Sequence, residues 1–376
     1  MTLLILGNGF DLYCQLKSSF KDYYESEINT GEILDFINSF DFLDSKEKIL
    51  SHKFNEFIEK NNGKKDMLFV LLDTYSVLDI LLCLNKEYLD PKWSDIENAI
   101  QKLLLYINET NELTEHKSIL NTDSNKFKIK SLMLLTYIKH FIEKDILKFM
   151  YDHIIKFENR FSKYLKIEFQ KRQNLYYTNF YHLGKFFFSK QIIQPNSYIL
   201  SFNYTQPNFL ANFSTSHIIN IHGTLSSRII IGIDQLLELE TNKKTREYID
   251  DNLYVFSKTS KVVRYQNKLS EEIKYNNIHE IVIFGHSLSS NDYSYFQAIF
   301  DALEIYSNFK VKLVFLYYEY LNTDSEFNFI SNNAFNLIRA YGNTLDNKDH
   351  GKNLLHKLIL EGRLVFKEVT VKPLLS

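Results

Sequence analysis

Cysteine is nearly absent from this sequence, which has only Cys14 and Cys83 among its 376 residues. Two cysteines exclude a framework of several disulfides and a zinc site built from four thiolates. No apolar run reaches the roughly 18 residues that span a bilayer, and no basic segment precedes an apolar core as in a signal peptide. We therefore expect a cytoplasmic protein that has no membrane partner and binds no zinc.

An excess of charge of one sign is also missing, since 44 basic residues face 46 acidic ones and the net charge is −2. This balance gives no general electrostatic reason to bind a nucleic acid, which we do not favour as a partner. Proline is scarce, with 4 residues, whereas phenylalanine and tyrosine contribute 31 and 25. We attribute this aromatic content to an AT-rich genome, because a base-stacking surface also needs a basic groove.

The first twelve residues carry the most informative pattern. The apolar run at 3–6 predicts a buried strand, which ends in the Gly-Asn-Gly turn at 7–9 and leads into a predicted helix. Nucleotide-binding α/β folds begin in this way, because glycines let backbone N–H groups approach a phosphate at a helix N-terminus. A tight strand-to-helix turn without any ligand is the alternative.

Hydrophobic residues recur at spacings of three and four from about residue 20 to residue 190, which predicts helices there, with a polar loop at 108–130. After Pro195 the pattern changes to short apolar runs, which predict strands, and the last run alternates like an edge strand. The predicted strands cover 198–202, 217–221, 229–231, 281–284, 313–316 and 364–371.

The first predicted strand has no neighbouring strand in the sequence before residue 197. We therefore predict an α/β fold with an open, parallel, Rossmann-like sheet, built from residues 1–20 and 195–376 as a nucleotide-binding domain. Residues 21–194 then form a large all-helical insertion after the first strand and helix.

Four short polar motifs follow predicted strands, at 7–11, 201–205, 222–223 and 285–288. Ligands of open α/β sheets bind beyond the carboxyl ends of the strands, so we expect these motifs to line one pocket. Structural explanations compete with this function. Turns would account for Gly7, Gly9 and Asn203 without any ligand. A histidine such as His222 often only completes a hydrogen-bond network, and a serine such as Ser287 often only caps a helix.

Three acidic residues also have two interpretations each. Asp11 either serves catalysis or only complements the dipole in a first helical turn. Glu97 either reaches into the pocket or forms a capping box with Ser94. Asp234 either contacts a ribose or a metal, or it is a turn residue.

Six short motifs occur along the chain in a fixed order: GNGFD at 7–11, WSDIE at 93–97, FNYT at 202–205, IHG at 221–223, IGID at 231–234 and FGHSL at 284–288. Together they resemble the AbiH family of bacterial abortive-infection proteins, which act against phage. The resemblance implies an anti-phage effector, with a phage-derived trigger and a second copy of the chain in a homo-oligomer as partners. The insertion would supply a lid, the trigger contact or a subunit interface.

The same order of motifs is similar, more remotely, to the sirtuin-like NAD-binding fold. This similarity implies NAD as substrate or ligand, with Asn203 on the asparagine of the sirtuin turn and His222 on the catalytic histidine. Gly285 and Ser287 fall on residues that contact the cofactor. Asp11 stands where sirtuins have a serine, and the missing zinc ribbon makes a peptide deacetylase unlikely.

Hydrolysis of NAD at its glycosidic bond suits these residues, because nicotinamide leaves as a neutral base and the oxocarbenium-like transition state needs nearby negative charge. We predict that His222 is the base, that Asn203 orients the water, and that Asp11 stabilises the cation or holds the ribose. The predicted ligand-binding residues are Gly7, Asn8, Gly9, Phe10, Asp234, Gly285, His286, Ser287 and Asp292.

Two other functions compete with NAD hydrolysis. In a metal-dependent nuclease or phosphohydrolase, Asp11, Asp234 and Asp292, with His222 or His286, would hold a divalent cation. A non-catalytic sensor would bind a nucleotide and change its assembly without turnover.

Overall fold

A six-stranded parallel sheet forms the centre of the computed structural model, with the strand order β3-β2-β1-β6-β7-β8. Its strands are β1 Thr2–Leu6, β2 Tyr198–Ser201, β3 His217–Asn220, β6 Glu280–Phe284, β7 Lys312–Tyr317 and β8 Leu364–Glu368, and β4 Leu236–Glu238 and β5 Arg246–Tyr248 form a separate antiparallel ribbon. The structure describes residues 1–28, 31–41, 51–84, 97, 100–101, 104–105, 126–142, 145–206, 217–234, 236–238, 246–248, 251–265, 273–320 and 324–375.

The position of β1 confirms the predicted open, parallel, Rossmann-like sheet. Leu4 of β1 lies opposite Ile199 of β2 on one side and opposite Val282 of β6 on the other. The chain order along the sheet therefore reverses between β1 and β6, as it does in doubly wound nucleotide-binding folds. The predicted strands at 198–202, 217–221, 281–284 and 313–316 are confirmed, and β8 is the predicted edge strand.

The strand predicted at 229–231 is wrong. Ile229 forms only an isolated bridge with Gly223, because the chain turns back after β3 and the Ile230 N–H donates to the His222 carbonyl. The buried Ile231 packs in the helical core, which explains the apolar run without a place in the sheet.

Helices cover both faces of the sheet because its strands are apolar on both sides. Leu3 and Ile5 face the helices Tyr293–Ala302, Ser325–Gly342 and Lys348–Leu360. Leu4 and Leu6 face the opposite side, where Asn8–Tyr13 and the second half of the 44-residue helix Ile146–Ser189 pack.

A second core lies among the helices of the predicted insertion. The long helix joins the two cores, since Phe157 and Phe161 pack in the helical core and Leu183 packs on the sheet. The predicted domain boundaries at 20 and 194 stay a prediction.

The remaining helices are Phe20–Tyr23, Gly31–Ser39, Ser51–Lys60, Lys65–Thr74, Val77–Leu84, Lys126–Phe141, Asp251–Tyr254 and Lys258–Tyr265, with a π-helical turn at Tyr24–Ile28 and 3-10 turns at Asn62–Lys64, Tyr275–Asn277 and Ser290–Asp292.

The loop predicted at 108–130 is wrong for its last five residues, which begin the helix Lys126–Phe141. Lysine is a good helix former, so the lysines there do not interrupt a helix. Residues 108–125 lie outside the described residues.

Within the described parts of the chain, no single helix is long and apolar enough to cross a membrane. The bent pair Asn62–Thr74 and Val77–Leu84, whose axes differ by 112°, passes the same criteria of length and composition only when the two are taken together.

Candidate functional site

A cleft of about 340 Å³ opens at the carboxyl edge of the sheet, beside the point where the strand order reverses. The loops after β1, β2, β3, β6 and β7 all contribute to its wall. All four motifs predicted to meet do so, and their polar lining residues are Asn8 and Asp11 after β1, Asn203 and Thr205 after β2, His222 after β3, and His286 and Ser287 after β6.

The glycines of the cleft hold two loops against each other. The Gly9 N–H donates to the Gly285 carbonyl over 2.7 Å, and the Gly7 N–H donates to the Phe284 carbonyl over 3.1 Å. Gly285 has a φ of +68°, and a Cβ there would lie 2.3 Å from the Phe10 nitrogen. These glycine N–H groups are therefore occupied within the protein and are not turned toward a phosphate.

We expect Gly9→Ala to destabilise the protein by about 1–3 kcal/mol, because overpacking against backbone costs that much. A Cβ at Gly9 would lie 2.7 Å from the Gly285 Cα. Gly31→Ala is the matched control, since a Cβ built there, at the first residue of the helix Gly31–Ser39, has no atom within 4 Å from any described residue outside its own helix and its chain neighbours. Denaturant unfolding of both variants measures the difference, and equal stabilities would contradict the loop contact.

Two predicted ligand-binding residues do not line the cleft. Phe10 is fully buried in the sheet core, with its ring edge-on to Phe180 at 5.9 Å. Asp234 accepts hydrogen bonds from the backbone N–H of Ser294, over 3.1 Å, and from the Ser294 hydroxyl. Asp234 thus fixes the start of the helix Tyr293–Ala302, directly after Asp292, which does line the cleft.

Asn203 is the most unusual residue of the cleft. Its side chain is buried, with 3% of the residue exposed, and neither its amide oxygen nor its amide nitrogen has a hydrogen-bond partner among the residues that the structure describes. An unsatisfied buried polar group costs roughly 1–3 kcal/mol. An amide kept in this state at a cleft wall is positioned for a ligand or a water molecule that arrives from outside.

Asp11 lies in a buried hydrogen-bond network beside the first loop. Its Oδ1 accepts from the hydroxyls of Tyr176 and Thr205, each over 2.8 Å. Burial raises the pKa of Asp11 to about 7, although both hydroxyls act to lower it. The carboxyl group can therefore gain or lose a proton near neutral pH.

Lys258 carries a buried ammonium that the sequence did not predict. Its Nζ lies 2.7 Å from Glu97 Oε2 and 2.7 Å from Asp292 Oδ1, and all three residues line the cleft. Burial would raise the pKa of Asp292, but Lys258 and the two histidines outweigh it and hold that pKa at about 2. Burial raises the pKa of Glu97 to about 7 against the attraction of Lys258.

The two histidines flank Asp292, with His222 Nε2 at 3.7 Å from Oδ1 and His286 Nε2 at 3.5 Å from Oδ2. The Nδ1 of His286 accepts from the Leu288 N–H, so the neutral ring carries its proton on Nε2, toward Asp292. Burial lowers the pKa of His222 to about 3 and that of His286 to about 4. Both rings are uncharged at neutral pH.

His222 therefore does not titrate near neutral pH, where an unperturbed histidine does. Burial disfavours the imidazolium, and the neighbouring Lys258 disfavours it further. Of the predicted catalytic residues, Asp11 has the pKa nearest to 7. Whether His222 and Asn203 act in catalysis stays a prediction.

A comparison with family models agrees with the arrangement of these loops. The family model described as "Bacteriophage abortive infection AbiH" matches residues 3–317, from β1 to the end of β7. This chain belongs to the AbiH family. Family membership supports a role in abortive infection against phage. No curated protein matches the chain.

Glu97 of this AbiH chain reaches into the cleft, which confirms one of its two predicted interpretations. The capping-box partner Ser94 lies outside the described residues, as does most of the WSDIE motif. The IGID motif has a structural role that the sequence did not reveal. A Cβ at Gly232 would lie 2.5 Å from the Phe256 carbonyl oxygen, so this glycine allows the close contact that places Lys258.

The acidic residues of the AbiH cleft do not fit the predicted divalent-metal site. Asp292 is engaged by the ammonium of Lys258, and Asp234 is engaged by Ser294. Across the described ranges, no group of three or more histidine, cysteine, aspartate or glutamate side chains is placed to hold a metal ion. The metal-dependent alternative thus has no support from the side-chain geometry.

Proposed function

We propose that this AbiH-family protein hydrolyses the N-glycosidic bond of NAD or a related nucleotide, as an anti-phage effector. The observation that carries the proposal is the buried, unpartnered amide of Asn203 in the wall of the cleft that Asp11 also lines. In the reaction, water adds to the anomeric carbon of the ribose, the carbon–nitrogen bond breaks, and nicotinamide leaves with the bonding electron pair. ADP-ribose and one proton are the other products.

The described residues supply what this reaction needs. Asn203 holds the attacking water or a ribose hydroxyl through its free amide. Asp11, once ionised, stabilises the positive charge of the transition state and then accepts the proton of the attacking water. His222 stays uncharged and acts as a hydrogen-bonding group.

Incubation of the purified protein with NAD, NADP, ATP and RNA, each with and without phage lysate, tests the proposal. We expect chromatography to show loss of NAD or NADP with release of an equal amount of nicotinamide. Loss of RNA instead, abolished by a chelator, would contradict the proposal. Stabilisation of the protein by a nucleotide without any turnover would identify a sensor.

We expect the rate to rise with pH through about 7, because Asp11 must lose its proton to act as the acceptor. Asp11→Asn should lower the rate at least a hundredfold and remove this pH dependence, and the exposed Asp349→Asn should change neither. A pH–rate profile of the three proteins measures the effect, and an unchanged profile in Asp11→Asn would reject the assignment.

The raised pKa of Asp11 also leads to a second, independent prediction, which concerns the stability of the folded protein. The folded-state pKa of about 7 exceeds the usual 3.8, so folding takes up a proton at Asp11 between these values. Its contribution to stability is therefore present below pH 3.8 and is lost as the pH rises through about 7. Asp11→Asn should remove this part of the decline, which thermal unfolding across this pH range measures.

A further inference from the structure

Carboxylates dominate the charged groups that line the cleft. The acidic side chains in its wall are those of Asp11, Glu97, Asp292 and Glu326. Among the described residues of the lining, Lys258 is the one lysine or arginine, and two of these carboxylates already engage it at 2.7 Å. Carboxyl groups therefore outnumber ammonium groups in the described part of this lining, and its charge becomes more negative as Asp11 and Glu97 lose their protons near pH 7.

A ligand that reaches Asn203 would also meet this acidic wall, because Asn203 lies in the same cleft and both ends of its buried amide lack a partner among the described residues. The first glycine turn does not offer its glycine N–H groups to a phosphate in the predicted way. The N–H groups of Gly7 and Gly9 are already donated to Phe284 and Gly285, and both histidines are uncharged at neutral pH. A negative lining repels an anion and attracts a cation.

The part of the cleft after β7 is aromatic. Tyr317, Tyr318, Tyr320 and Phe329 contribute to its lining. Aromatic side chains offer a flat apolar surface, and they attract a cation that lies over a ring face. A flat, positively charged ring matches both the aromatic and the acidic parts of the wall.

We propose that the cleft recognises the positively charged ring of an N-ribosyl pyridinium, and that the phosphates of the ligand contribute little to its affinity. The substrate class is thus the oxidised pyridine nucleosides and nucleotides, with or without phosphate. This inference rests on the proposed function, because it specifies the ligand of the same cleft.

A binding experiment separates ring charge from ring shape. The carbocyclic analogue of nicotinamide riboside has a charged ring and no hydrolysable glycosidic bond, and its dihydro form has almost the same shape without the charge. We expect calorimetry at pH 7.5 to show at least tenfold tighter binding of the charged analogue. The 5′-phosphorylated charged analogue should bind with an affinity within threefold of its parent.

Glu326→Gln is the informative variant, because Glu326 lines the cleft but belongs neither to the Asp11 network nor to the Lys258 cluster. It should weaken binding of the charged analogue at least threefold and leave binding of the dihydro analogue unchanged. Asp349→Asn, which removes an exposed carboxylate, should change neither affinity.

Several outcomes would overturn the inference: equal binding of the charged and dihydro analogues, no binding of either, tenfold tighter binding of the phosphorylated analogue, or no effect of Glu326→Gln. Failure of the proposed function looks different. A preference for the charged analogue without nicotinamide release from NAD rejects hydrolysis alone, whereas hydrolysis of NAD with equal analogue binding rejects the inference alone.

Discussion

Asn203→Ala is expected to abolish the consumption of nucleotide, with a loss of at least a hundredfold, and to leave the stability of the folded protein within about 1 kcal/mol. The reason is that the amide makes no hydrogen bond to any residue in the described part of the chain, so its removal breaks no described hydrogen bond and relieves a buried polar group. Chromatographic assay of turnover and denaturant unfolding measure the two effects on the same sample.

Asn179→Ala provides the matched control. Asn179 is fully buried like Asn203, but its amide donates to the Leu374 carbonyl over 2.9 Å and accepts from the Leu374 N–H over 2.6 Å. Its removal should cost roughly 1–3 kcal/mol of stability and leave turnover per folded molecule unchanged. Equal loss of stability in the two variants, or full turnover in Asn203→Ala, would contradict the role of Asn203.

The sheet and the cleft could be predicted because their signals are local. The apolar runs that became β1, β2, β6 and β7 are each followed by turn residues, and parallel strands must end at a common edge. This geometry alone predicts that residues 7–11, 203, 222 and 285–287 lie together. The run at 229–231 gave the same local signal but has a different tertiary environment.

The charged partners could not be predicted in this way. Lys258 has no local feature that distinguishes it from other lysines, and lysine is rarely buried unless it is paired. Its partners, Glu97 and Asp292, lie 161 and 34 residues away in the chain. Tyr176 lies within the 44-residue helix and is 165 residues from Asp11. Only tertiary packing determines which of these residues meet.

The charge state around Lys258 therefore depends on residues that come from three separate parts of the chain. Lys258 begins one helix, Asp292 precedes another, and Glu97 comes from the helical region. Within the IGID motif, Asp234 holds the helix start that follows Asp292, and Gly232 allows the close backbone contact that places Lys258. The motif thus stabilises the arrangement of charges without contributing to the wall of the cleft.

Lys258→Met is expected to destabilise the protein by about 3–5 kcal/mol, because removal of one partner leaves the carboxylates of Glu97 and Asp292 buried without their countercharge. Lys352→Met is the control. Lys352 Nζ also lies close to a carboxylate, 3.3 Å from Asp349 Oδ1, but both side chains are exposed, and such surface pairs contribute about 0–1 kcal/mol. Denaturant unfolding at pH 7 compares the two variants.

The pH dependence identifies the cause of this destabilisation. In the wild type, the pKa of Asp292 is about 2, below the usual 3.8, so its ionisation stabilises the fold above pH 3.8, and this contribution is lost as the pH falls through about 2. Without Lys258, burial dominates and the folded-state pKa exceeds 3.8. The variant then loses stability as the pH rises above 3.8, and the difference from the wild type should widen between pH 4 and pH 7. A difference that stays constant over this range would show that Lys258 acts through packing alone.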